Sequence, residues 1–107
     1  MRSEVERLVQ QYARAIESRD VGEIRELYPR MTAAQQKAWE QFFGSVRSLK
    51  ATLAPAPFDV SSGGVDLQVS GTYEFTLASN GRTERQPVKF TATARRESGG
   101  WRLVTVR

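Results

Sequence analysis

The apolar positions of this chain change their period near residue 48. Before it, Val5, Leu8, Val9, Tyr12, Ala15 and Ile16 recur at helical spacing, which predicts an amphipathic helix over residues 3–19. Ser3 followed by Glu6 has the form of a capping box at its start. Asp20, with Glu23 three residues on, opens a second, shorter helix whose apolar face is Ile24, Leu27 and Tyr28. Pro29 ends it, because a proline pushes the preceding residue out of the helical region. Thr32, paired with Gln35 in another capping box, opens a third helix. Ala38, Trp39, Phe42, Phe43 and Val46 form its face, and Gly44 lies near its end.

From there the period is two. Leu49, Ala51 and Leu53 alternate with polar residues as a first strand, which Pro55 and Pro57 interrupt, leaving Phe58–Val60 as at most a short edge piece. After a turn at Ser61–Gly64, the residues Val65, Leu67, Val69, Tyr73, Phe75 and Leu77 share one face of a long strand. Gly71 falls on that apolar face with no side chain to pack, and a bend or bulge is expected there. Asn80-Gly81 predicts a tight type I′ hairpin. Val88, Phe90, Ala92 and Ala94 line one face of the returning strand, with Pro87 at an edge or bulge. Ser98-Gly99-Gly100 turns into a last strand from Trp101 to Val106. Its two apolar faces, Trp101 with Leu103 and Val104 with Val106, predict a central strand or one covered by a partner. Helices followed by a meander of strands make one α+β domain over residues 1–107, with three N-terminal helices packed on a curved antiparallel sheet.

Composition removes several kinds of chemistry. The 107 residues include no histidine and no cysteine. The commonest general base and the commonest soft metal ligands are therefore unavailable, and neither a metal site nor a cofactor is expected. The net charge is +4, spread as nine basic and seven acidic groups in the first 54 residues and seven and five in the rest. A nucleic-acid binder concentrates its charge, so none is expected as a partner. No apolar run is long enough to insert in a membrane. Without a signal-peptide pattern, a complete chain would be cytoplasmic; the abrupt ends also suit a domain cut from a longer protein.

The segment Tyr12-Ala13-Arg14-Ala15-Ile16-Glu17-Ser18-Arg19-Asp20, continuing to Ile24, Leu27 and Tyr28-Pro29, resembles the opening of the nuclear transport factor 2-like superfamily, which includes SnoaL-like and ketosteroid-isomerase-like proteins. The later hairpin and the Gly99-Gly100-Trp101-Arg102 start of the last strand are similar too. The resemblance covers nearly the whole chain. It implies a cone, formed by a bent sheet wrapped round the first helix, with a hydrophobic pocket at the wide end. It also implies a homodimer through the outer sheet face, for which Val104 and Val106 beside Thr91 and Thr93 supply a motive.

The candidate pocket residues are Tyr12, Ile16, Tyr28, Trp39, Phe43, Tyr73, Phe75, Phe90 and Trp101; the plainer reading is that these side chains fill the core. No catalytic set stands out. Asp66 and Glu74 fall on the polar face of their strand, and Asp20 reads as a helix cap. The expected role is a non-catalytic accessory or ligand-binding domain, taking a small hydrophobic molecule or a protein partner. The alternatives are a proton-transfer enzyme with Asp59 or Asp20 as base and a tyrosine as hydrogen-bond donor, and an engineered scaffold of the same fold. The pair Arg95-Arg96 with Arg102 reads as protection of a sheet edge. Both Ser-Gly-Gly runs precede strands, so they are turns rather than phosphate loops.

Overall fold

The computed structural model of the chain describes residues 2–107. Three helices, α1 (Arg2–Ser18), α2 (Val21–Leu27) and α3 (Ala33–Ser45), precede four strands, β1 (Val46–Pro55), β2 (Gly64–Leu77), β3 (Thr83–Glu97) and β4 (Gly100–Val106). The strands form one antiparallel sheet in the order β1-β2-β3-β4, curled into a half-barrel with the helices on its inner side.

The stripe read from the sequence, Val5, Leu8, Val9, Tyr12, Ala15 and Ile16, is the buried face of α1, and Ala13 joins it. It packs mainly on β1 and α2. Val5, Leu8 and Ile16 are fully buried, each contributing about 1.5–3 kcal/mol by removal from water. They meet Leu67 and Val69 from β2 and Ile24 from α2 in a single core. Ser3 lies inside α1 rather than at its cap, so the first expected capping box does not form there. The other two caps do form. Asp20 Oδ1 accepts from the Gly22 amide at 2.8 Å, and Thr32 and Gln35 satisfy each other's backbone amides. Between α1 and α2 the chain turns at Arg19, whose φ is 58°.

The polar flank of α1 serves the sheet. Gln10 Nε2 donates to the Leu53 carbonyl at 2.9 Å, Glu17 Oε2 accepts from the Ala51 amide at 2.9 Å, and Arg19 donates to the Val46 carbonyl at 3.1 Å. These are backbone groups on the outer edge of β1, which among the described residues no further strand satisfies.

Several strand details depart from expectation. Val46 is not on the face of α3; it begins β1 directly. Phe58–Val60 is not a strand, although Phe58 is buried beneath Arg2, which stacks on its ring and donates to its carbonyl. The β1–β2 and β2–β3 registers run through Gly71 without a bulge. What Gly71 permits is a close approach of β1: a Cβ there would lie 1.8 Å from the Thr52 carbonyl oxygen.

The tight two-residue turn sits at Ser62-Gly63, with φ of 46° and 76° and paired hydrogen bonds between Ser61 and Gly64. At Asn80-Gly81 only Gly81 has a positive φ, and a longer loop results, closed by Leu77–Arg82 and Leu77–Gly81 backbone bonds. The Asn80 side chain is used elsewhere, accepting from the Arg82 amide at 2.9 Å.

β4 is an edge strand, not a central one. Its register slips opposite Thr93 and Ala94, leaving Val104 as an extra residue between Leu103 and Thr105. The slip reverses the alternation. Val106 pairs with Ala92 and turns into the interior with Leu103, instead of standing outside beside Val104. Among the described residues no helix is long and apolar enough to cross a membrane.

Candidate functional site

α3 is attached differently from α1. Its one buried residue is Phe43, and the helix rests on the sheet through an aromatic cluster. Trp39 stacks on Phe43 at 5.3 Å between ring centroids and tilts against Tyr73 at 6.3 Å, while Phe42 meets the edge of Phe75 at 5.2 Å. At its N-terminal end Gln35 makes the attachment polar. Its side chain accepts from the Tyr28 hydroxyl at 2.9 Å and donates to the Val106 carbonyl at 2.9 Å, besides closing the cap with Thr32. Arg25 adds a hydrogen bond to Gln36.

Because α3 stands off the sheet on large side chains, a cleft of about 360 Å³ remains between them. It is lined by Tyr12, Tyr28, Gln35, Trp39, Tyr73, Gln86, Pro87, Val88, Lys89, Phe90 and Val106. Every helix, or the residue capping it, and the last three strands contribute to it. Tyr12 and Phe90 close the floor edge to face at 5.9 Å.

Three tyrosines meet here. The Tyr28 hydroxyl is engaged by Gln35. Those of Tyr12 and Tyr73 make no hydrogen bond to another described residue, yet neither is sealed from solvent. They therefore carry free hydrogen-bonding capacity at the cleft. Burial pushes the Tyr12 hydroxyl well above the usual tyrosine range, with the neighbouring Tyr73 and Tyr28 adding to it; burial pushes Tyr73 up to about 12. Both are thus neutral O–H groups at any physiological pH, suited to donating to an acceptor oxygen and unsuited to acting as phenolate bases.

Five of the expected ligand contacts, Tyr12, Tyr28, Trp39, Tyr73 and Phe90, are brought together in this cleft. Ile16, Phe43, Phe75 and Trp101 are not; all four are buried in the protein's packing. The Trp101 Nε1 is buried without a partner among the described residues. Gln35, Gln86, Pro87, Val88, Lys89 and Val106 were not expected at the site. Gln35 was visible in the sequence only as a capping partner, and Val106 was hidden by the bulge at Val104.

Among the described residues no Asp or Glu lines the cleft. Asp20 is engaged as the α2 cap, and Asp59 lies elsewhere, in a polar depression of about 630 Å³ formed by the Ser61–Gly64 turn, Asp66, Thr93, Arg95 and Arg96. Asp66 there accepts from Thr93 Oγ1 at 2.9 Å. A carboxylate base facing a tyrosine, as the proton-transfer alternative requires, is not assembled in the cleft. Among the described residues no group of three or more acidic side chains could hold a metal ion.

No family model matches the chain, and no curated protein matches it either. Solved structures do. A nuclear transport factor 2-like superfamily protein from Salmonella enterica serovar Typhimurium superposes with a TM-score of 0.81 at 18% identity, covering 98% of this chain and 87% of that one. The chain has the nuclear transport factor 2-like fold. A provisionally named scytalone dehydratase from Novosphingobium aromaticivorans gives 0.80 at 15% identity, over 95% of this chain and 78% of that one. A domain from Thiobacillus denitrificans, provisionally named a calcium/calmodulin-dependent protein kinase type II association domain, gives 0.69 at 17%, over 94% and 89%. The nuclear transport factor 2-like fold thus carries differently named proteins at similar structural distance, and the role of this chain has to be argued from its own cleft.

Proposed function

We propose that this domain binds a small, mainly apolar molecule carrying an acceptor oxygen, without transforming it. The observation that carries the reading is the pair of unengaged, neutral hydroxyls of Tyr12 and Tyr73 on an aromatic-walled cleft of about 360 Å³. Apolar walls with a few directed polar groups are the usual make-up of small-molecule sites. Trp39, Phe90, Val88 and Val106 supply the apolar contact, and the hydroxyls orient the ligand through its oxygen. The lack of any lining carboxylate weighs against proton transfer. The names of the dehydratase-like neighbours belong to those proteins.

We also propose a homodimer through the outer sheet face. Val106 turns inward, leaving Val104 and the threonines Thr91 and Thr93 as its motive. Light scattering showing only a 12.0 kDa species at micromolar concentration removes the dimer without touching the ligand reading.

The ligand reading is tested by titrating the protein with 2-naphthol and with naphthalene while following amide and Trp indole resonances. Saturable shifts at Gln35, Trp39, Val88 and Val106, stronger for the naphthol, are expected. Shifts that fail to saturate, or that map to the Asp59–Arg96 depression, refute it.

A further inference from the structure

A second depression adjoins the cleft. It holds about 270 Å³ and is lined by Ala38, Trp39, Phe42, Tyr73 and Gln86. Trp39, Tyr73 and Gln86 also line the cleft, so the two depressions adjoin along a wall these three residues share. Ala38, Trp39 and Phe42 fall on one stripe of α3. Phe42 is held there by the edge contact with Phe75 and by stacking on Tyr73 at 6.3 Å, so the groove has a fixed aromatic side.

The two compartments differ in chemistry. Tyr12, Tyr28, Gln35 and Lys89 all lie on the cleft side of the shared wall. Beyond the wall the groove adds only Ala38 and Phe42. Two adjoining depressions, one bearing several polar groups and the other mainly apolar, match an amphiphile. Resting on the ligand-binding reading above, we infer that the ligand is an amphipathic molecule whose oxygen-bearing head occupies the cleft and whose hydrocarbon tail leaves over Trp39 into the groove on α3. The three residues common to both linings commit the groove to the tail of that same ligand rather than to a separate partner.

The probes are phenol and its 4-ethyl, 4-butyl and 4-hexyl derivatives, measured by isothermal titration calorimetry on the full chain. Each methylene buried in the groove lowers Kd by about fourfold. The variant Ala38→Glu places a charge in the groove on an exposed helix position, away from the cleft lining. It is expected to keep phenol affinity within about twofold while flattening the gain with chain length. The inference is overturned if phenol binds but the longer chains bind no better, or if Ala38→Glu leaves the chain-length gain intact. Binding by none of the four probes, phenol included, instead overturns the reading of the cleft on which the inference rests.

Discussion

Replacing Gly71 by alanine should be among the most damaging single changes in the sheet. Its Cβ would lie 1.8 Å from the Thr52 carbonyl oxygen, 2.8 Å from the Thr52 carbonyl carbon and 3.0 Å from Leu53 Cα, all backbone atoms that no rotamer change moves. Ordinary contact begins near 3.4 Å, so β1 must retreat by well over an ångström at that point. The retreat stretches the flanking ladder pair Thr52↔Thr72, worth about 1 kcal/mol per hydrogen bond lost. It also displaces Leu53 and Val69, 2% and 1% exposed, and strain of that kind costs about 1–3 kcal/mol. The expected loss is about 3–5 kcal/mol out of roughly 5–15 for a domain of this size, with a fall in Tm on the order of 15 °C. Guanidinium unfolding, followed by far-UV circular dichroism and tryptophan fluorescence, measures it. Gly44→Ala is the control. A Cβ there meets no atom within 4 Å, inside a helix, so it should gain about 0.5–1 kcal/mol. A Gly71→Ala protein within about 1 kcal/mol of the parent would falsify the argument from close approach.

Other expectations concern the cleft. Tyr12→Phe and Tyr73→Phe should each fold normally and weaken 2-naphthol binding by about two- to tenfold while sparing naphthalene, read by calorimetry; equal losses for both ligands would remove the hydroxyls from recognition. Gln35→Leu breaks the bonds to Tyr28 and to the Val106 carbonyl and half of the α3 cap, and should cost about 1–3 kcal/mol in urea unfolding; no change would mean that the α3 attachment is purely aromatic. Alkaline pH supplies a last check. Tyr12 and Tyr73 titrate higher in the folded than in the unfolded chain, so the unfolded state releases protons first. Their contribution is complete below pH 10, the unfolded value, and is lost as pH rises through about 12, where Tyr73 ionises. Stability that stays flat from pH 9 to pH 12 contradicts the burial of these hydroxyls.

The parts of the fold legible in the sequence are those set by a simple period or by one strong local preference. The stripe from Val5 to Ile16, the caps at Asp20 and Thr32, and the alternation from Val65 to Leu77 all reappear in the structure. What escaped depends on contacts between distant residues. The bulge at Val104 has no glycine or proline to announce it, because it is fixed by the register of β3 against β4. At Asn80-Gly81 the Asn80 side chain bonds to the Arg82 amide in a longer loop, while the tight two-residue geometry falls at Ser62-Gly63, inside the turn expected at Ser61–Gly64. At the site, aromatic type alone cannot separate lining from filling. Phe42 and Phe43 are neighbours on one helix, yet Phe43 is buried and Phe42 borders the groove. Gln35 reaches Val106, 71 residues away, a contact no local pattern encodes.

The polar flank of α1 has a consequence for how copies of this protein can associate. Gln10, Glu17 and Arg19 occupy backbone groups along the margin of β1, while β4 lies at the opposite margin, where Gln35 takes the Val106 carbonyl and, among the described residues, no strand lies beyond. A chain that can accept a neighbouring strand on one side only has no second side from which to pass the addition on. Margin-to-margin joining therefore stops at a closed pair of β4 strands, and open-ended polymerisation of the folded domain must first strip α1 from the sheet.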